Sequence, residues 1–164
     1  MRKHQSGVVL FVALMLLLIL SMIGVTVARM QTVEERMARN DNNGQIAAQA
    51  AEAALRNAET VLGNAPAVGT FAGDTAGYYA VSPTTGSLIP SLNWNDSTKT
   101  STYTGPALTA IPAAARTPRV AMELMGYGAV PGDDLSSAPP TYRVTVQALN
   151  AEGNPSVMLQ SIYR

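Results

Sequence analysis

A continuous run of apolar residues dominates the first part of the chain, from Val8 to Ala28, and reads VVLFVALMLLLILSMIGVTVA. The run carries no charge, and its only polar side chains are Ser21 and Thr26. A helix of this length spans about 30 Å, which is the hydrocarbon thickness of a bilayer. Because core helices of globular domains are seldom apolar on every side, the pattern predicts a transmembrane helix rather than a buried core helix.

Beyond the apolar run, residues 29–62 predict an amphipathic continuation of the same helix. Residues that favour helix predominate, and small or apolar side chains recur on one heptad track: Met30, Val33, Met37, Ala47, Ala51, Ala54, Ala58 and Val61. Polar residues 40–44 interrupt this track and predict a kink or loosening. A dimeric coiled coil is one interpretation, but alanine buries little surface at a coiled-coil seam. The stripe therefore favours close packing of the helix on a sheet or on neighbouring helices.

The last hundred residues, 63–164, predict a small, mostly β domain. Stretches near 78–81 and 101–104 are candidate short strands between loops rich in glycine, proline and serine, and residues 119–126 favour a further strand. Apolar and polar residues alternate over 142–149, a polar turn follows, and residues 156–163 return as a second strand. The expected fold is α+β, with a small antiparallel sheet packed on residues 45–62 of the helix.

Charge and composition place the domain outside the cytoplasm. Arg2 and Lys3 precede the apolar run, which keeps the N-terminus in the cytoplasm. A cleaved secretory signal is the rival interpretation, but the run is longer than a signal core and no small-residue cleavage box follows it.

From Met30 onward the chain has a net charge of −3, from 8 basic and 11 acidic residues. This balance gives no electrostatic reason to expect nucleic acid as a partner. The absence of cysteine excludes disulfides and thiolate chemistry.

The junction between leader and helix reads Ser6-Gly7-Val8, so a short basic leader (residues 1–7) ends in glycine just before the apolar run. This arrangement resembles the class III leader of type IV pilins and pseudopilins. The resemblance implies that a membrane prepilin peptidase cuts between Gly7 and Val8 and methylates the new N-terminus at Val8. Such a cut removes the charges of Arg2 and Lys3, which frees the helix to leave the bilayer and pack into a filament.

Three further segments resemble the PilX-type minor pilins of type IV pili. They are VEERMARN at 33–40, QAAEAALR at 49–56 and LQSIYR at 159–164, in the order that this family has them. The resemblance implies a pilin-like fold, a non-enzymatic role, and packing of the helix against other subunits through a set of helix residues: Met30, Val33, Glu34, Glu35, Met37, Ala47, Ala51 and Ala54.

The fifth residue counted from Val8 is Val12, where ordinary major pilins carry a glutamate. In that family the glutamate is thought to meet the N-terminal amine of a neighbouring subunit, and a subunit that lacks it can sit first in the stack. The resemblance therefore implies a role in starting assembly and a position in the tip complex. Its implied partners are other minor pilins, the major pilin, the prepilin peptidase, a large tip adhesin and, before assembly, membrane lipid. The chain would be a single-pass inner-membrane protein until it enters the filament.

Two other function classes stay open at this point: a K-type-like pseudopilin of a type II secretion system, and a bitopic anchored binding protein or enzyme. K-type pseudopilins carry a much larger inserted domain than the residues after this helix allow. An enzyme would need a catalytic constellation, and we find none. The single histidine, His4, lies in the leader, and Asp133-Asp134 lacks the spaced oxygen ligands of a calcium loop. We expect no cofactor or metal, and Trp94 is expected to anchor a small core rather than to be an exposed contact.

Overall fold

The structure is a computed structural model that describes residues 6–64, 70–71, 77–84, 86–106, 108–127 and 138–164. One long helix, α1, runs from Ser6 to Gly63 and is followed by five strands. The chain divides into two compact units, Met1–Asn42 and Asn43–Arg164. The first unit contributes only helix to the described residues, and the second contains the rest of α1 and the sheet.

The polar interruption at residues 40–44 does not break the helix assignment, which continues through all five residues. The prediction of a kink or loosening is therefore not matched by a change of secondary structure. Asn, Asp and Gly each lower helix propensity by only about 1 kcal/mol or less, so five such residues do not end a helix that continues on both sides of them. Burial along α1 begins at Asn43, so the polar segment lies where the packed part of the helix starts.

Five strands form one mixed sheet. They are β1 (Tyr78–Ala80), β2 (Ser101–Thr102), β3 (Arg119–Tyr127), β4 (Pro140–Leu149) and β5 (Pro155–Tyr163). The order is β1–β3–β4–β5, and β2 also pairs with β3. The strands predicted from the sequence are all present, but the sheet is not purely antiparallel, because β1 runs parallel to β3. The long connection between these two strands supplies the crossover that parallel pairing needs.

The hairpin of β4 and β5 confirms the predicted alternation of apolar and polar residues over 142–149. Val144, Val146 and Ala148 are buried on the face toward the helix, whereas Gln147 faces the other side and is half-buried. In the turn, the N–H of Asn150 donates to the carbonyl of Asn154 at 2.8 Å. The side-chain oxygen of Asn150 accepts from the N–H groups of Glu152 and Asn154, so the turn satisfies its own backbone donors.

The main core lies between residues 43–63 of α1 and the sheet. Alanines form the helix side of this core: Ala47, Ala50, Ala51, Ala54 and Ala58. These side chains are short, so the helix contributes small groups to the core and the strands contribute most of its larger apolar side chains. The second unit also contains the 3₁₀ turns Ile89–Ser91 and Ala113–Arg116. The far face of the sheet carries a smaller cluster of Tyr79, Ile89 and Ala121, onto which a half-buried Trp94 packs. Trp94 is thus a partly exposed anchor of that cluster.

Candidate assembly surfaces

The apolar part of α1 is exposed along its whole described length. Residues 7–28 are all exposed, and no residue in the most apolar window of the helix is buried. By length and composition this helix is able to cross a membrane. Its two hydroxyls bond to the helix itself: Ser21 Oγ donates to the carbonyl of Leu18 at 2.9 Å, and Thr26 Oγ1 to that of Met22 at 2.8 Å. No hydroxyl of the run is therefore left without an acceptor in lipid.

The predicted processing junction lies at the start of α1. Arg2 and Lys3 fall outside the described residues, and Gly7 and Val8 belong to the first helical turn. A peptidase needs an extended backbone at the bond that it cuts, so this turn would have to open for cleavage. The first four N–H groups of a helix have no intrahelical acceptor, so opening this turn costs few hydrogen bonds. Nothing lies within 4 Å of a Cβ built on Gly7, and Val12 is exposed one turn after Val8.

Residues 29–42 present apolar and charged side chains to solvent. Met30, Val33 and Met37 are exposed, as are Glu34 and Glu35. The Glu35 carboxylate and the Arg39 guanidinium are 2.8 Å apart, with both side chains largely exposed. An exposed pair of this kind contributes at most about 0.5 kcal/mol to the helix. This part of α1 is therefore free to contact neighbouring chains.

The three alanines assigned to subunit packing lie elsewhere. Ala47, Ala51 and Ala54 have no exposed surface and are covered by the chain's own sheet. Their burial confirms the predicted packing of a sheet on residues 45–62 of the helix rather than packing on neighbouring helices. Of the helix residues assigned to packing between subunits, only those up to Met37 reach the surface.

A buried carboxylate that the sequence analysis did not single out lies on the outer face of the sheet. Glu123, on β3, is fully buried. Its oxygens accept hydrogen bonds from the Ser87 hydroxyl at 2.9 Å, from the Leu88 N–H at 3.1 Å and from the Arg143 guanidinium at 3.2 Å. The sequence feature that could have indicated this cluster is the acidic residue inside the apolar strand RVAMELMG. A carboxylate in a buried strand needs a hydrogen-bonding or charged partner, so its position indicates a paired group.

A groove of about 450 Å³ opens beside this cluster. It lies between the segment that covers Glu123 and the outer faces of β4 and β5, and it is lined by Ser87, Ile89, Pro90, Trp94, Arg143, Thr145, Met158 and Gln160. The lining is mostly apolar, and its charged member, Arg143, is neutralised by Glu123. The groove therefore offers apolar contact without a net charge.

The loop after Trp94 is held by a carboxylate. Asp96 Oδ1 accepts hydrogen bonds from the hydroxyl of Thr98 at 2.7 Å and from its N–H at 2.8 Å. These bonds, in that order, hold the pKa of the Asp96 carboxyl below its ordinary value of 3.8, and the nearby Lys99 adds to the effect. The side chain is engaged in the turn, which makes Asp96 a structural residue.

No group of three or more acidic, histidine or cysteine side chains that could hold a metal occurs among the described residues. Asp133-Asp134 and His4 lie outside them. The described residues thus present two surfaces that other chains can contact, namely the exposed apolar part of the helix and the outer face of the sheet with its groove.

Two family models match the chain. One, described as PilX N-terminal, matches residues 6–56, and the other, described as type IV pilus assembly protein PilX C-term, matches residues 35–164. The two matches overlap and together extend over the helix and the sheet. No curated protein and no solved structure matches the chain significantly.

Proposed function

The chain belongs to the PilX family of type IV pilus assembly proteins, and we propose that it is a minor pilin that helps to start the filament and remains at its tip. Membership of this family makes it a type IV pilus assembly minor pilin rather than a member of an enzyme family. The exposed apolar helix fits a pilin that is anchored in a membrane before assembly. The initiating role and the position at the tip are the finer proposals.

The observation that carries the proposal is Val12. In ordinary pilins a glutamate at the fifth mature position pairs with the N-terminal amine of a neighbour. A carboxylate in lipid is costly unless it finds that partner, so the pair drives a new subunit into register beneath an earlier one. The exposed side chain of Val12 is uncharged and therefore needs no amine partner in lipid. A subunit with valine here needs no earlier subunit above it, which suits the first position in the stack.

Processing at the leader completes the proposed mechanism. Cleavage between Gly7 and Val8 by the prepilin peptidase removes Arg2 and Lys3, whose charges hold the N-terminus at the cytoplasmic interface. Methylation of Val8 follows. The helix is then free to move out of the lipid and to pack against other minor pilins and the major pilin. Its exposed stripe of Met30, Val33 and Met37 supplies apolar contact just beyond the membrane.

The partners that we propose are other minor pilins, the major pilin and a large tip adhesin. Before assembly the domain of residues 63–164 would lie in the periplasm with the N-terminus in the cytoplasm. After assembly it would lie at the distal end of the pilus. The groove beside Trp94 and the exposed residues 29–42 are the surfaces available for these contacts.

The test of position replaces Val12 with glutamate and uses Val12→Gln as the matched control, since glutamine has the same size without the charge. Gold labels on an epitope tag in the full chain would show where it lies in sheared pili. We expect wild type and Val12→Gln at filament ends and Val12→Glu also along the shaft. An unchanged distribution of Val12→Glu, with equal numbers of pili per cell, would contradict the proposed role of the missing carboxylate.

The test of processing is the intact mass of the chain isolated from its own membranes. A mature chain that begins at Val8 with one added methyl group supports the proposed cleavage. A chain that still begins at Met1, or that begins near Met30, contradicts it.

A further inference from the structure

The two edges of the sheet differ in how much backbone they leave unpaired. One edge is shared by β1 and β2, which have only three and two residues. The opposite edge is β5, with nine residues, and no described strand pairs with its outer side. A long edge strand presents a row of N–H and C=O groups that can template another strand.

The pairing pattern identifies the residues of β5 that direct backbone groups to the open side. Met122 donates its N–H to the carbonyl of Gly77 at 2.6 Å and therefore faces β1. Successive residues of a strand direct their backbone N–H and C=O groups to opposite sides. When this alternation is followed through the register of β3 with β4 and then of β4 with β5, Ser161 and every second residue from it direct these groups toward β4. The residues between them direct N–H and C=O outward: Met158, Gln160 and Ile162.

Pro155 and a bulge at Ser156 lie at the start of β5, but from Val157 to Tyr163 the edge lacks the features that normally prevent strand addition. Strand β5 reads PSVMLQSIY, with no charged residue and no proline after its first position. None of its nine residues is buried, although the strand pairs with β4 without interruption from Val157 to Tyr163. Met158 and Ile162 are 53% and 66% exposed on the outer face. Natural edge strands usually carry lysine, proline or a bulge at such positions.

We propose that the outer edge of β5 binds an extended segment of another pilus component, which adds to the sheet as a further strand. The backbone of that segment would pair with Met158, Gln160 and Ile162. Because β5 offers no countercharge, the segment would be uncharged, with apolar side chains at alternate positions beside Met158 and Ile162. The inference rests on the chain being a pilus component and holds wherever in the filament the chain lies.

A second copy of this chain is not the occupant. Antiparallel pairing of β5 with β5 would place a two-fold axis perpendicular to the sheet. Such an axis reverses every direction in the plane of the sheet, including that of residues 43–63 of α1, which pack on it. Subunits that enter one filament share one orientation, so two copies joined in this way would not fit the same filament.

Hydrogen exchange at single amides tests the proposal on the full chain. One sample is the chain purified alone in detergent, and the other is the chain isolated with its pilus partners from cells that assemble pili. We expect the amides of Met158, Gln160 and Ile162 to exchange at least about tenfold more slowly in the complex. Those of Leu159 and Ser161, which face β4, are the internal reference and should be slow in both. Equal exchange of the outward amides in the two samples would overturn the proposal, as would slowing in a complex that contains only this chain.

A proline substitution gives a second test. Gln160→Pro removes an outward N–H without breaking a bond to β4, and Gln160→Ala keeps the N–H while removing the same side chain. We expect Gln160→Pro to lower the yield of co-purified pilus components about tenfold relative to Gln160→Ala, which loses the same side chain from the groove. Retention of partners by a folded Gln160→Pro chain would overturn the proposal. Unfolding of each variant is followed by Trp94 fluorescence, and Ile162→Pro replaces Gln160→Pro if the latter does not fold.

Discussion

The guanidinium of Arg143 lies 3.2 Å from the carboxylate of Glu123 and joins β4 to β3 on the outer face of the sheet. The Glu123 side chain has no exposed surface, whereas that of Arg143 keeps about a quarter of its own. The same carboxylate accepts hydrogen bonds from Ser87 and Leu88. This one buried carboxylate therefore holds the segment around residue 88 against the sheet, next to the groove.

Replacing Glu123 with alanine should destabilise the second unit strongly. The change leaves the Leu88 N–H and the Ser87 hydroxyl without their acceptor and Arg143 without its countercharge. We expect the free energy of unfolding to fall by about 2–4 kcal/mol. Urea unfolding of the full chain in detergent, followed by the fluorescence of Trp94, measures the effect.

Glu52→Ala is the matched control, because Glu52 is exposed and lies 3.7 Å from Arg56 in an i, i+4 pair. Its loss should cost less than about 0.5 kcal/mol. Similar losses in the two variants would show that Glu123 contributes no more than a surface charge.

Local patterns predicted the parts of this fold that depend on neighbours in sequence. The alternation through Val144 and Val146 and the polar turn at residues 150–155 determine the last hairpin, and the structure contains it. The alanine stripe predicted the buried face of α1 but suits both a sheet and a helix, and it was the strand pattern of the last hundred residues that predicted the sheet as the partner of residues 45–62. The parallel pairing of β1 with β3 and the burial of Glu123 arise from contacts distant in sequence, which periodicity does not report.

Of the candidate surfaces, too, the sequence predicted those that depend on local spacing and missed the one that depends on the whole sheet. Met30, Val33 and Met37 were identified from their spacing and are exposed. The open edge of β5 was not, because a strand's position at the edge depends on the order of the whole sheet. An uncharged strand such as PSVMLQSIY is a sequence feature that could have suggested partner pairing, but only once its place in the sheet is known.

Gly77 should be the glycine least tolerant of substitution in the sheet domain. Its φ is +83°, and a Cβ there would meet the Ser101 nitrogen at 2.5 Å and the Val120 carbonyl oxygen at 2.6 Å. These are backbone atoms of two other strands, so relief requires movement of β2 or β3. We expect Gly77→Ala to lower the free energy of unfolding by at least about 3 kcal/mol, from left-handed strain plus overpacking.

Gly86→Ala separates the two contributions. Gly86 has φ +73° but nothing within 4 Å of its would-be Cβ, so only the backbone strain of about 1–2 kcal/mol applies. Thermal unfolding of both variants should rank Gly77→Ala well below Gly86→Ala. Equal unfolding midpoints would mean that β1 and β2 can move apart without cost.

Acid should weaken the turn at Asp96. The lowered pKa of its carboxyl means that the folded chain binds a proton less readily than the unfolded chain does. The stabilisation is therefore fully present above the ordinary pKa of 3.8 and is lost as the pH falls through the lower value of the folded state. Thr98→Ala removes the largest cause and should raise the Asp96 pKa toward its ordinary value. Thr98→Ser keeps the hydroxyl and should not. A carboxyl-carbon NMR titration distinguishes them, and identical titrations of the three chains would refute the role of Thr98.

Ala51 should not tolerate a larger side chain. It is fully buried in the core between α1 and the sheet, so the three extra carbons of leucine would force the helix and strands apart. We expect Ala51→Leu to cost about 1–3 kcal/mol, which lowers the thermal midpoint by roughly 4 °C for each kcal/mol. Ala53→Leu is the matched control, because Ala53 is half-buried and borders an open cavity of about 520 Å³. That variant should stay within about 0.5 kcal/mol of the wild type. If Ala51→Leu is equally stable, the alanine stripe does not set the distance between helix and sheet, and its small side chains must serve another contact.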